Sequence, residues 1–164
     1  MNQNEINKSG KNTLAGDLSK TTTGKTVSLF NDTYYKIENY DAIPPFFISL
    51  VSSVNHWFFI SSNGGLSAGR VNADQALFPY YTEDKITDNN GNTGSKTIMR
   101  VTRGSQAWLW EPFVTDQHGL YEIQRNLYKN ISGTALIFEE INLSLQLKVC
   151  YSWRTSEKFG FVKT

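Results

Sequence analysis

From Ile141 to Trp153 an apolar residue occupies every second position: Ile141, Leu143, Leu145, Leu147, Val149, Tyr151 and Trp153. Asn142, Ser144, Gln146, Lys148, Cys150 and Ser152 fill the positions between, and Arg154 follows. Strict period two is the signature of a strand with one face on a core. Taken as one strand, these positions would span roughly 40 Å, about twice the usual length, and would imply a large sheet. Alternation also favours antiparallel pairing, since parallel strands buried on both faces read as unbroken apolar runs.

Shorter runs rich in Val, Ile, Phe, Tyr and Trp, bounded by Gly, Asn, Asp and Pro, extend this pattern backwards. The expected strands are Thr26–Phe30, Tyr34–Asn39, Phe46–Ser52, His56–Ser61, Leu66–Arg70, Ser95–Thr102, Ala107–Trp110, Leu120–Leu127, Thr134–Trp153 and Phe159–Lys163. No window carries a helical stripe. Asn63-Gly64-Gly65 supplies the positive φ of a tight hairpin, and the polar run from Asp88 to Gly94 reads as an exposed loop tip. The fold class that follows is all-β, an antiparallel β-sandwich.

The chain of 164 residues has four Trp, eight Tyr and ten Phe, every one at or after Phe30. Residues 1–25 read as a flexible arm, because Ile6, Leu14, Ala15 and Leu18 among polar neighbours bury too little to offset ordering. Residues 26–164 form the sandwich domain. The chain stops within the last expected strand, and adjacent aromatics in Trp57-Phe58-Phe59 demand cover on both sheet faces. Both features suggest a sandwich cut short at its C-terminal end, with a neighbouring domain beyond.

Sixteen basic against fifteen acidic residues, a net charge of +1, leave no cationic face for nucleic acid. No stretch approaches the roughly 20 apolar residues of a membrane span, no secretion signal precedes the domain, and one cysteine makes no internal disulfide. The expected location is the cytoplasm.

Catalytic signals are sparse. The two histidines, His56 and His118, neighbour no nucleophile elbow, and Cys150 sits in an alternating strand. Two His and one Cys do not make a zinc site. Asp88, Asn90 and Asn92 match the start of a calcium loop, but Thr93 and Met99 stand where Gly and Glu are needed. Glu139 and Glu140 are neighbours on a strand and so face opposite ways. The sequons at Asn7, Asn31, Asn130 and Asn142 carry no weight without a secretion signal. No catalytic residue and no metal ligand is assigned.

A binding signal remains in Trp108-Leu109-Trp110-Glu111-Pro112-Phe113, where two same-face tryptophans beside a carboxylate suit the apolar faces and hydroxyls of a sugar. The competing expectation is that both tryptophans pack the interior. Trp108, Trp110, Glu111 and Arg70 are the candidate ligand-binding residues.

The segment from Ile43-Pro44-Pro45-Phe46-Phe47 through His56-Trp57-Phe58-Phe59-Ile60-Ser61-Ser62-Asn63-Gly64-Gly65 to Arg70 resembles the N-terminal part of disaccharide phosphorylases related to cellobiose and chitobiose phosphorylase. Ala76-Leu77-Phe78-Pro79-Tyr80-Tyr81, Trp110-Glu111-Pro112-Phe113, Tyr151-Ser152-Trp153-Arg154 and Phe159–Thr164 add to it. The resemblance covers about 32–164 and implies a β-supersandwich domain ahead of an (α/α)6 catalytic barrel. It implies an oligosaccharide substrate, phosphorolysis with inorganic phosphate as co-substrate and no other cofactor, the following catalytic domain as partner, and subunit contacts of a homodimer. The expected function is the non-catalytic N-terminal domain of such an enzyme. The alternative is a free-standing carbohydrate-binding or structural β-sandwich.

Overall fold

The computed structural model describes residues 20–78, 80, 83–89, 93, 96–114 and 119–159. Among the described residues ten strands follow one another: β1 Thr23–Leu29, β2 Asp32–Glu38, β3 Phe47–Val51, β4 His56–Ser61, β5 Leu66–Arg70, β6 Met99–Arg103, β7 Gln106–Trp110, β8 Ile123–Asn130, β9 Ala135–Asn142 and β10 Leu147–Arg154. They form a five-stranded sheet in the order β1-β2-β8-β9-β10, a three-stranded sheet β3-β4-β5 and a two-stranded ribbon β6-β7. All pairings between these strands are antiparallel. The helical pieces are short: 3-10 turns at Tyr40–Ala42, Ala73–Gln75 and Thr87–Asn89, and one α turn at Glu83–Ile86.

The main core lies between the two larger sheets. Ile48 and Leu50 of β3, Phe58 and Ile60 of β4, and Leu66 and Ala68 of β5 meet Leu127 of β8 and Leu136 and Phe138 of β9, with Ile37, Tyr151 and Trp153 packed at the margin. Every contributing strand sends alternate residues inward, as period two requires. A second cluster of Tyr34, Tyr128, Ala135 and Ile137, flanked by Val27 and Leu29, occupies the other face of the five-stranded sheet. The chain is thus all-β, antiparallel and sandwich-like.

The expected continuous strand from Thr134 to Trp153 is a hairpin. β9 ends at Asn142, the chain reverses over 143–146, and Leu147 returns opposite Asn142. Asn142 drives the turn: its Oδ1 accepts the Leu145 N–H at 2.8 Å, and Gln146 takes the left-handed conformation at φ 52°. The alternation survives the reversal in number but not in meaning. On β9 the even positions Leu136 and Phe138 face the main core, whereas on β10 the odd positions Tyr151 and Trp153 do. Ile141 therefore points to the opposite face from Leu147, while Leu143 is exposed in the turn. With two eight-residue strands in its place, the 40 Å strand and the large sheet inferred from it disappear.

β1 begins at Thr23, inside the expected arm, and the Lys20 ammonium donates to the Ile123 carbonyl. Residues 1–19 lie outside the described residues, as do 160–164, which hold most of the last expected strand. Phe58 of the Trp57-Phe58-Phe59 run enters the main core. Trp57 and Phe59 face the other way, in ring contact with each other and with Tyr80, and Phe59 also touches Phe47. Gly69 is required beneath this cluster, since a Cβ there would stand 2.5 Å from Trp57 Cζ2. Much of the two-sided cover thus comes from this chain.

Asn130, a sequon residue, is a buried turn organiser. Its Oδ1 accepts the N–H groups of Thr134 and Ala135, and its Nδ2 donates to Asp32, Ser132 and Thr134. Its turn joins β8 to β9.

Candidate functional site

Arg125 and Glu140 occupy core-facing positions of β8 and β9 and stand directly opposite in the register. A charged pair facing a core must be fully satisfied, because each ion costs several kcal/mol to desolvate, on the order of the attraction it recovers. Glu140 meets this demand with three donors. Arg125 Nε lies at 2.8 Å and Phe113 N at 2.6 Å from Oε2, and Trp110 Nε1 lies at 2.9 Å from Oε1. Arg125 Nη2 in turn donates to the Val114 carbonyl at 2.8 Å. The segment from Trp110 to Val114 is thereby clamped across the end of the sandwich, and Phe113 is held at φ 67°. Such a conformation costs a non-glycine residue of order 1–3 kcal/mol and persists only where neighbours enforce it.

The clamp makes Phe113 the wall of a cavity of about 290 Å³ between the sheets. Phe113 meets Tyr151 at 5.1 Å and Phe138 at 6.3 Å between ring centroids. Tyr40 and Trp153 complete the aromatic lining, Ile60 and Leu66 the aliphatic one, and Asp41, Ser62, Asn63 and Arg125 bring polar groups. Tyr40 and Asp41 arrive on the 3-10 turn after β2, and Ser62 and Asn63 on the β4–β5 turn that Gly64 closes at φ 104°.

The polar lining offers both acceptors and donors. Asp41 Oδ1 and Asn63 Oδ1 are buried acceptors without a hydrogen-bond partner. Asp41 Oδ2 is 4.0 Å from Lys20 Nζ, and Asn63 Nδ2 donates to the Thr87 carbonyl at 2.9 Å. Ser62 Oγ accepts the Phe46 N–H, which leaves its proton to donate. Burial pushes the Tyr40 phenol well above its ordinary value, so it stays neutral. Aromatic walls with spare acceptors suit an uncharged ligand that has apolar faces and several hydroxyl donors.

The candidate binding residues do not gather here. Trp108 and Trp110 share a face of β7, as expected, but Trp110 has no exposed surface and spends its N–H on Glu140. It offers no ring face to a ligand. Trp108 is half-buried opposite Val101, and Glu111, just beyond β7, is half-buried. Arg70 ends β5 in a different sheet, exposed, with Nε on the Val54 carbonyl at 3.2 Å.

His56 is buried, with Nδ1 3.2 Å from Ser52 Oγ. Cys150 is exposed, and partial desolvation followed by the Glu139 carboxylate pushes its thiol above the ordinary value, away from a reactive thiolate. His118 lies outside the described residues, as do Asn90 and Asn92. Among the described residues no group of three or more His, Cys, Asp or Glu could hold a metal ion, and no helix is long and apolar enough to cross a membrane.

Tyr40, Asp41, Asn63, Phe113 and Arg125 escaped the sequence reading. One signal was present: Arg125 falls in phase with Ile123 and Leu127, and Glu140 in phase with Leu136 and Phe138, which places a charge on each core-facing row. No family model matches this chain, and no curated protein matches it.

Proposed function

We propose that this chain is a non-catalytic, sugar-binding β-sandwich from the N-terminal part of a carbohydrate-active enzyme, and that the cavity behind Phe113 holds one sugar ring. The observation that carries this reading is the pairing of aromatic walls with the partnerless acceptors Asp41 Oδ1 and Asn63 Oδ1. A pyranose offers the complement: apolar C–H faces for the rings and hydroxyls that donate to both oxygens. Leaving a buried acceptor unmade costs about 1–3 kcal/mol, so a ligand that supplies the donors gains from each.

The resemblance to disaccharide phosphorylases extends the proposal. The parent enzyme, working in the cytoplasm, cleaves an oligosaccharide with inorganic phosphate. A general acid of a following catalytic domain protonates the glycosidic oxygen, phosphate attacks the anomeric carbon, and the subunits pair as a homodimer. In this scheme the present domain holds sugar beside the cleft. A free-standing sugar-binding module is the second reading.

The test is calorimetric titration with cellobiose and N,N′-diacetylchitobiose, for the native chain and for Asp41→Ala and Asn63→Ala. The proposal expects binding that each substitution weakens about tenfold, the equivalent of ~1.4 kcal/mol. Equal binding by all three proteins, or none by the native chain, contradicts it. Phosphate consumption by a longer chain carrying the expected barrel separates the phosphorylase from the free-standing module.

A further inference from the structure

A different place on the molecule, independent of the sugar reading, has an unfilled position in its layers. Five strands face three. Among the described residues no strand lies above the inner face of the five-stranded sheet beyond β3, and Tyr35 on that face is 51% exposed. A groove of about 460 Å³ runs there, with Tyr35, Leu127 and Lys129 for a floor and Phe47 to Ser49 for a side.

The hydrogen-bond phase of β3 shows what the groove presents. Ser62 N donates to Phe46 O at 2.9 Å and Ser52 N to His56 O at 3.1 Å, so 46, 48, 50 and 52 are the positions bonded to β4. Phe47, Ser49 and Val51 therefore turn their N–H and C=O groups outward. Val51 is already engaged, its N–H on Gly133 O at 3.4 Å and its carbonyl accepting from Thr155 Oγ1 at 3.3 Å. The outward groups of Phe47 and Ser49 have no partner among the described residues. Two donors and two acceptors, alternating along an open edge, are the complement of an extended backbone. Lys129 forms no ion pair among the described residues, which adds a charge preference.

We propose that the edge of β3 accepts a short β-strand from another protein, with an acidic side chain set against Lys129. The added strand is brief, because Val51 is closed at one end and Pro44-Pro45, which lack N–H groups, lie at the other. It fills the missing fourth position of the smaller sheet.

The experiment selects a random heptapeptide library on the full chain, with Ser49→Pro as counter-target. Proline at 49 deletes only an outward N–H, a change that edge strands tolerate. The proposal expects enriched peptides with alternating β-branched or aromatic residues and an Asp or Glu. Their binding falls at least tenfold on Ser49→Pro, and they slow amide exchange at Phe47 and Ser49. Peptides that bind both proteins equally, or no enrichment over the counter-target, overturn it. Should Ser49→Pro lose cooperative unfolding, Lys129→Glu decides: selected peptides must then switch from acidic to basic, and an unchanged preference overturns the proposal.

Discussion

Glu140 and Arg125 face each other across β9 and β8, joined by an Nε–Oε2 hydrogen bond of 2.8 Å, and Glu140 has no exposed surface. The pair ties three parts of the chain together, since Trp110, Phe113 and Val114 all bond to it. It joins the ribbon to the sandwich and seats Phe113 over the cavity. Glu140→Ala should cost about 3–5 kcal/mol in urea unfolding, because it strands a buried guanidinium. The double variant Arg125→Met, Glu140→Leu should recover only part of that loss, because the Trp110 and Phe113 N–H groups still lose their acceptor. Trp110→Phe, which removes one donor, should cost about 1–3 kcal/mol.

Glu38 gives the β1–β2 hairpin a pH dependence at acid pH. Hydrogen bonds from Lys36 at 2.7 Å, Lys25 at 2.9 Å and Thr23 at 3.0 Å pull its carboxyl from 4.5 down to about 2. A carboxylate with a depressed folded-state value stabilises fully above its unfolded value and loses that contribution as pH falls through the folded one. Stability should therefore decline between about pH 4.5 and 2. Glu38→Gln should flatten that part of the profile, and carboxyl NMR should place the Glu38 midpoint near 2.

Much of the architecture was legible because its signals are local. β4 and β5 match the expected His56–Ser61 and Leu66–Arg70 residue for residue, since Asn63-Gly64-Gly65 can only be a turn between two apolar runs. The β9–β10 hairpin was hidden for the opposite reason. Its turn holds Leu143 and Leu145 with no Gly or Pro, and its four residues keep the apolar count in step. The cavity behind Phe113 was illegible because it assembles from turns and strands far apart in sequence, from Tyr40 to Trp153. The Trp108/Trp110 pattern was visible, but a tryptophan with a buried partner looks the same in sequence as one awaiting a ligand.

The hidden turn can be tested directly. Gln146 sits at φ 52°, where a β-branched residue is strained and glycine is not. Gln146→Gly should leave the urea midpoint nearly unchanged, whereas Gln146→Val should cost of order 1–3 kcal/mol. If the chain ran straight through this point, valine would be the better residue.

Asn130 predicts a similar asymmetry. Asn130→Ala removes the acceptor for the N–H groups of Thr134 and Ala135, the latter buried. A loss of about 1–3 kcal/mol should follow. Asn130→Asp, which keeps the acceptor but sets a second charge near Asp32, should lose less at low pH than at neutral pH.

The central claim, a sugar ring behind Phe113, is tested most directly by amide NMR of the full chain titrated with cellobiose. The expected result is saturable shifts centred on Tyr40, Asp41, Asn63, Gly64 and Phe113, with about tenfold more sugar needed to reach half-saturation in Asp41→Ala. Shifts centred on Trp108 and Arg70 instead, or none at tens of millimolar sugar, a range weaker than the ~1 mM that corresponds to about 4 kcal/mol, would contradict it.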